Sequence, residues 1–210
     1  MRKKPNLDAR ISACGEYVIA DPTQYKGNWA KKFGYDSVCV EIGCGKGKFI
    51  TENAKNRGNT LFVAIEKEHN VMVMAAELAQ REEIQNIRFI GIDAAMLGDV
   101  FAEGELQEIY LNFSDPWPKK GQSKRRLTHR NFLAVYNTVL RDNGAIFFKT
   151  DNEKLYEFSL NEMAEFGFNL RKITFDLHST DEENIVTEYE ARFAEQGMRI
   201  LRVEAHKKVN

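Results

Sequence analysis

From Ser37 onward, short apolar runs alternate with stretches of helical periodicity, and no other feature restricts the fold of this chain so tightly. Residues 38–42 read as a strand, and a glycine-rich turn leads from it into a helix over 46–57. Residues 61–66 give a second strand. A helix over 68–83 carries Val71, Met74, Ala75, Leu78 and Ala79 at helical spacing. Strands follow at 87–92 and 108–113. A helix over 128–141 turns Phe132, Val135, Val139 and Leu140 inward. A fifth strand at 145–149 precedes a helix over 152–166. Segments 170–176 and 199–205 read as two last strands. With no long helix between them, they suit antiparallel pairing. The expectation is an α/β fold: a mostly parallel seven-stranded sheet, helices on both faces and an antiparallel last strand. Ligands of such sheets sit outside the carboxyl ends of the strands, so the chemistry is to be sought there.

The 210 residues are 43% hydrophobic and 29% charged, which is enough for one large domain with a sizeable core. Net charge is −1, so contact with nucleic acid must come from a local basic patch. Residues 1–36 lack sustained periodicity. They read as an appendage with a basic, mobile tip at Arg2, Lys3 and Lys4, packed on a main domain over 37–210. Cys14, Cys39 and Cys44 form no C-x-x-C pair, and His69, His129, His178 and His206 are scattered, so neither a disulfide framework nor a metal is expected. The start is polar and carries no signal peptide. No apolar run approaches the roughly 20 residues of a membrane span. A cytoplasmic protein with no membrane contact is expected. The polar stretch 177–185 reads as a mobile loop.

The first strand runs into Glu41-Ile42-Gly43-Cys44-Gly45-Lys46-Gly47. Glycines at alternate positions turn the backbone tightly and let a ligand approach it. A dinucleotide fingerprint would place its third glycine at 48, where this chain has Lys48. Glu41 reads as a ligand group or as a surface acid near a strand end. Glu66 ends the second strand, 19 residues after Gly47, a spacing that suits an acid accepting both ribose hydroxyls. It also reads as an acid favoured by the dipole of the next helix. Asp93 follows the third strand and reads either as a ligand group or as a helix N-cap.

The fourth strand ends in Asp115, followed by Pro116-Trp117-Pro118 and then by five basic residues among the eight from Lys119 to Arg126. A carboxylate beside an aromatic ring on a rigid corner suits a nucleobase: the ring stacks and the carboxylate accepts base N–H groups. The cations beyond suit the phosphates that accompany that base. The plain alternative is a proline-stiffened surface loop with a solvated charge run.

The glycine turn resembles the first motif of class I S-adenosylmethionine-dependent methyltransferases. Phe113, Asp115, Pro116, Trp117, Pro118, Lys119 and Lys120, with Lys124 to Leu127, resemble the F-P-D-P-W-P-K-K and K-R-R-L signature of bacterial tRNA (guanine-N7-)-methyltransferases. Phe148-Lys149-Thr150-Asp151-Asn152 and Thr187-Glu188-Tyr189-Glu190 resemble that family's later motifs, so the likeness covers about residues 41 to 205. Two positions depart from the pattern. Ser114 stands where proline is common, and Gly121 where a basic residue is common.

The resemblance implies a Rossmann-like class I methyltransferase fold. It implies methyl transfer from S-adenosylmethionine to N7 of a variable-loop guanine, guanine 46, of tRNA. It assigns the cofactor to Glu41, Gly43, Gly45, Gly47, Glu66, Asp93 and Asp115, with Asp115 also catalytic. Lys119, Asp151, Thr187, Glu188, Tyr189 and Glu190 would meet the substrate. Gly121, Gln122, Ser123, Lys124, Arg125 and Arg126 would touch the RNA. The expected partner is tRNA, and the expected state is a monomer or homodimer. Four residues keep plainer readings as well: Asp151 and Thr187 as helix caps, Trp117 as a core aromatic and Asp115 as a cap of its own turn. An adenine-N6 methyltransferase remains a competitor, but its Asn/Asp-Pro-Pro-aromatic motif lacks the basic tail. An RNA-binding module without catalysis would be expected to lose the glycine turn or the strand-end acids. A nicotinamide dehydrogenase is disfavoured by Lys48 and by the lack of a hydride-transfer His or Tyr-Lys pair.

Overall fold

In the computed structural model, residues 6–194 and 197–208 are described. Seven strands form one sheet: β1 (Ser37–Ile42), β2 (Thr60–Ile65), β3 (Ile87–Ile90), β4 (Leu106–Asn112), β5 (Leu140–Thr150), β6 (Asn169–Thr174) and β7 (Leu201–His206). Their order across the sheet is β3-β2-β1-β4-β5-β7-β6. The first five run parallel, and β7 is antiparallel to both β5 and β6. The helices are α1 (Leu7–Ala13), α2 (Trp29–Phe33), α3 (Lys48–Asn56), α4 (His69–Arg81), α5 (Leu97–Val100), α6 (Arg130–Val139), α7 (Glu153–Phe166) and α8 (Glu188–Ala194).

The central strands are buried on both faces, as a parallel sheet requires. Alternate side chains feed two separate cores. Val38, Val40, Ile42, Leu61, Val63 and Ile65 enter one, and Cys39, Phe62, Ala64, Ile87 and Phe89 enter the other. Residues 6–36 serve both cores. Leu7, Cys14 and Tyr17 pack with α4 on one face. Trp29 is fully buried on the other, beside Phe101, and its Nε1 donates to Val100 O at 3.1 Å. The Glu105 carboxylate accepts from Gly27 N and Trp29 N, which fixes the start of α2. Between these anchors the chain passes along the outer edge of β3, where Ile19 N donates to Phe89 O at 3.0 Å. The exposed edge of the sheet is thereby covered. Arg2, Lys3 and Lys4 lie outside the described residues.

Four local expectations need correction. In α4 the buried side chains are Asn70, Met72, Val73, Ala75, Ala76 and Ala79, whereas Met74 is exposed. The helix is apolar around most of its circumference, so periodicity left its phase open. The small residues Ala75, Ala76 and Ala79 decide it, because they let the helix sit close to the sheet. In α6 the inward set is Leu133, Tyr136 and Val139, with Phe132 and Val135 half-buried. Strand β5 begins at Leu140 rather than at 145. Its polar start, Arg141 to Asn143, forms a bulge against β4, with Asn143 at φ +62°. The stretch 177–185 is tied down rather than loose. Leu177 is buried and its N–H donates to Ile200 O at 2.7 Å, and Ile185 O accepts from Lys149 Nζ at 3.0 Å.

Trp29→Ala is expected to lower stability by about 3–5 kcal/mol, read as a lower urea midpoint at unchanged slope. A loss under about 1 kcal/mol would show that the first 36 residues do not share the core.

Candidate active site

The sheet reverses its order between β1 and β4, and a crevice opens at their carboxyl ends. A cleft of about 450 Å³ there is lined by Gly43, Glu66, Asp93, Asn112, Phe113, Asp115, Trp117, Lys124 and Arg125, among others. A second recess of about 340 Å³ adjoins it, between the glycine turn and α8. Glu41, Gly43, Gly45, Gly47, Asn112, Thr187, Glu188 and Tyr189 line that part. Four of the expected strand-end acids, Glu41, Glu66, Asp93 and Asp115, therefore border one continuous crevice.

The glycine turn is shaped by backbone demands. Gly43 and Gly47 hold φ values of +82° and +87°, and a Cβ on Gly47 would lie 2.8 Å from Ala75 Cβ of α4. The Glu66 carboxylate ties the turn to the next helix: Oε2 accepts from Gly45 N at 3.3 Å and Oε1 from Glu68 N at 3.0 Å. Asp93 is exposed at the rim, and its Oδ1 accepts from Ala95 N at 2.9 Å, so it does cap the short turn after β3.

Glu41 is the least ordinary of the acids. It is 2% exposed. Oε1 accepts from Asn112 Nδ2 at 2.9 Å, while Oε2 and the Asn112 Oδ1 are buried with no partner. Burial pushes the carboxyl up to about 7, against the hydrogen bond from Asn112 and the charge of Lys149. Two orphaned acceptors beside a glycine turn suit a ligand carrying N–H donors. The fit to the amino-acid end of S-adenosylmethionine is thus chemical as well as topological.

The Asp-Pro-Trp-Pro corner is a strained hinge. Phe113 N makes the last rung of the ladder, to Lys149 O at 2.9 Å. Phe113 and Trp117 then take φ values of +50° and +42°, which side-chain-bearing residues rarely adopt. The two kinks carry Asp115, exposed, to the rim of the cleft. Arg126 locks the corner: its guanidinium donates to Pro116 O at 3.0 Å and Trp117 O at 3.1 Å, and lies over the Phe158 ring. Arg125 lies 3.6 Å from the centre of the Trp117 ring. Two cations of the basic run are thus engaged with the corner. Lys119 and Lys124 are exposed, the first just before and the second on a 3₁₀ turn that includes Gly121, Gln122 and Ser123.

The Thr187-to-Glu190 segment divides by face. Glu190 N donates to Thr187 Oγ1 at 2.9 Å and Thr187 N donates to Glu190 Oε2 at 3.3 Å, a reciprocal capping box at the start of α8. Glu190 is fully buried and pairs with Lys149 Nζ at 2.8 Å. Burial disfavours its charge, but Lys149, His178 and Asn184 outweigh this and hold it below the usual carboxylate range. Glu188 and Tyr189 face outward. Glu188 pairs with Lys46 of the glycine turn at 2.8 Å. Tyr189 stacks on Phe113 with ring centres 4.9 Å apart, and its hydroxyl donates to Asp151 Oδ2 at 3.3 Å. Asp151 is not the cap of α7. Asn152 is, through Leu155 N at 2.8 Å. Residues given no site role from the sequence are Asn112, Lys67 and Phe132, together with Lys149 and Leu127, which read only as parts of motifs. Asn112 left one signal, a polar residue closing an otherwise apolar run.

The raised Glu41 value has a consequence for stability. Its protonated form favours the fold, fully below the ordinary carboxylate value, and this is lost as pH rises through about 7. Glu41→Gln is therefore expected to stabilise the protein by on the order of 2 kcal/mol at pH 8 and by little at pH 4.5, measured by urea unfolding at both. A destabilised variant at pH 8 would contradict this.

Comparison with known proteins agrees with this geometry. A family model described as "Putative methyltransferase" matches residues 35–203. A tRNA (guanine-N(7)-)-methyltransferase of Geobacillus sp. (strain WCH70) is 47% identical over 206 residues, covering 97% of this chain and 94% of that protein. One of Clostridioides difficile (strain 630) is 47% identical over 210 residues, covering 99% and 98%. Among solved structures, an antibiotic-related methyltransferase superposes with a TM-score of 0.65 at 17% identity, covering 86% of this chain and 93% of its own. The 16S rRNA (adenine(1408)-N(1))-methyltransferase of Catenulisporales acidiphilia gives 0.63 at 15%, covering 91% and 95%. At such identities these two speak to the fold, which is that of class I methyltransferases. The near-complete match to the first two relatives decides the family: this chain belongs to the tRNA (guanine-N(7)-)-methyltransferases.

Proposed function

We propose that this protein methylates N7 of a guanine in tRNA, at position 46 of the variable loop, and that Asp115 is the group that meets the base. The observation that carries this reading is the position of Asp115. It stands at the rim of the cofactor cleft, between two left-handed residues, and the exposed Lys119 and Lys124 follow it on the next turn. S-adenosylmethionine supplies an electrophilic methyl group. Glu66 and Asp93 border the part of the crevice suited to its nucleoside, and Glu41 with the glycine turn borders the part suited to its amino-acid end.

Guanine N7 carries a lone pair and no proton, so an in-line displacement at this atom needs no general base. What the residues must do is align the base and favour the positive charge that grows on it. The Asp115 carboxylate suits both tasks, accepting the N1 and N2 hydrogens of guanine while sitting near the ring that becomes cationic. Tyr189 and Phe113 would close over the base from the α8 side, with Asp151 holding the Tyr189 hydroxyl. Thr187 and Glu190 contribute by fixing α8. The exposed lysines would neutralise phosphates, whereas Arg126 keeps the corner in shape. The cytoplasmic setting and a monomeric or homodimeric state belong to the same reading. No helix among the described residues is long and apolar enough to cross a membrane.

Asp115→Asn is expected to lower methylation of unmodified tRNA by about a hundredfold or more at saturating cofactor, with the product identified by nucleoside mass spectrometry. Full activity would remove Asp115 from the mechanism. RNA affinity is expected to fall steeply with salt, and Lys124→Ala to reduce the log–log slope by about 0.7–0.9. Arg126→Ala should lower activity while leaving that slope in place, and a changed slope would make Arg126 a phosphate contact instead.

A further inference from the structure

The strongest unexplained feature is a hydrogen-bonded pair with two acceptors left over. Glu41 on β1 and Asn112 at the end of β4 meet across the line where the sheet order reverses. Asn112 spends one amide hydrogen on Glu41 Oε1. The Glu41 Oε2 and the Asn112 Oδ1 remain buried and unpartnered, and both residues line the recess beside the glycine turn. A buried acceptor without a donor is unfavourable, and here two occur on bonded side chains.

Among the described residues, none donates to either oxygen. Lys149 on β5 attracts Glu41, but its ammonium is bonded to Asn184, Ile185 and Glu190. Glu66 at the end of β2 repels the charge, and Cys44 in the turn is a buried thiol. Of the other charges on this recess, Lys46 is paired with Glu188, and Lys48 lies exposed at the start of α3. A ligand entering the recess can supply the missing partner. It must carry more than one N–H, and a positive charge matches the carboxylate. An ammonium group, with three N–H donors, meets all of these conditions.

We propose that Asn112 is a positioning residue for the cofactor: its amide holds the Glu41 carboxylate so that the free oxygens of both side chains receive the α-ammonium of S-adenosylmethionine. The inference rests on the crevice being the cofactor site. Asn112 acts in two ways. Its N–H orients Glu41 and favours the ionised carboxylate, and its own carbonyl oxygen adds an acceptor that discriminates for an amino-acid tail. Binding must then discharge the proton that Glu41 carries below about pH 7, so affinity for a ligand with the ammonium rises with pH and levels off above that value.

Calorimetry on the full chain tests this with two ligands. S-adenosylhomocysteine carries the amino-acid tail, and 5′-methylthioadenosine shares the nucleoside without it. For the wild type, affinity for S-adenosylhomocysteine is expected to climb by up to about tenfold per pH unit between about pH 5.5 and 7, while that for methylthioadenosine stays flat. Asn112→Ala should weaken S-adenosylhomocysteine about tenfold or more at pH 7 and move the plateau to higher pH, leaving methylthioadenosine within about twofold. Glu41→Gln should abolish the pH dependence. Asn112→Ser, which keeps a hydroxyl, replaces the alanine variant if that one lacks a cooperative thermal transition, with a smaller loss of the same sign. Equal weakening of both ligands would show a purely structural strap, and unchanged S-adenosylhomocysteine binding would overturn the proposal outright. Glu66→Ala separates the underlying reading. It should weaken both ligands, and if it weakens neither, the crevice is not the cofactor site.

Discussion

A parallel sheet that is apolar on both faces must be covered on both, and that requirement arranges everything else in this protein. Helices and residues 6–36 occupy the two faces, so the open places are the strand ends. Every connection from a parallel strand leaves at the same end. Residues at the ends of β1, β2, β3 and β4 therefore gather along one rim, although the chain separates Glu41 from Asp115 by more than seventy residues. Gathering acids in this way has a cost that is visible in Glu41, whose carboxyl is raised mainly by burial and in part by the charge of Glu66.

The far wall of the rim is held by a second device, the buried Lys149–Glu190 pair. A buried ion pair is weak support for stability, but losing one partner leaves the other charged and stranded. Here each partner is also saturated with hydrogen bonds. Lys149 reaches Asn184 and Ile185, and Glu190 receives His178, Asn184 and the Thr187 amide. The pair thus fixes where α8 begins. Once its start is fixed, helical geometry sends Glu188 and Tyr189 to the opposite side, onto the glycine turn and Phe113. The four-residue motif carries two kinds of information, an inward anchor and an outward contact.

Much of this was legible in the sequence because it depends on local pattern. Apolar runs of strand length, glycines at alternate positions and single acids after each run mark the strand ends whatever the rest of the chain does. Other features depend on partners far away. The phase of α4 follows from how closely Ala75 approaches Gly47, and a helix apolar around most of its surface hides that choice. Arg125 and Arg126 read as phosphate ligands by composition, and nothing in the sequence shows that the fold also lays them against Trp117, Phe158 and two carbonyls. Asn112 stood beside the most informative motif and left little mark, because its importance lies in a hydrogen bond to a residue on another strand. Glu190 reads as meeting the substrate, and its pairing with Lys149 is hidden in the sequence because that partner on β5 is not a sequence neighbour.

The site also departs from what stability alone would favour, and methyl transfer explains why that is tolerable. A reaction that moves no proton from its acceptor gives the protein little to do by acid–base chemistry, so its contribution must lie in positions fixed before the reactants meet. Fixed positions are held here against local preference. Phe113 and Trp117 occupy left-handed conformations that each cost on the order of 1–3 kcal/mol, and Glu41 and Asn112 bury acceptors that no described residue satisfies. None of these features lies within the two apolar cores. They are confined to the ends of β1 and β4, where the sheet supplies a rigid base and the crevice supplies space. Under the proposed function, a carboxylate on a strained corner does not have to reorganise when charge develops on the base beside it, and the acceptors of Glu41 and Asn112 gain a partner with a ligand of the right charge.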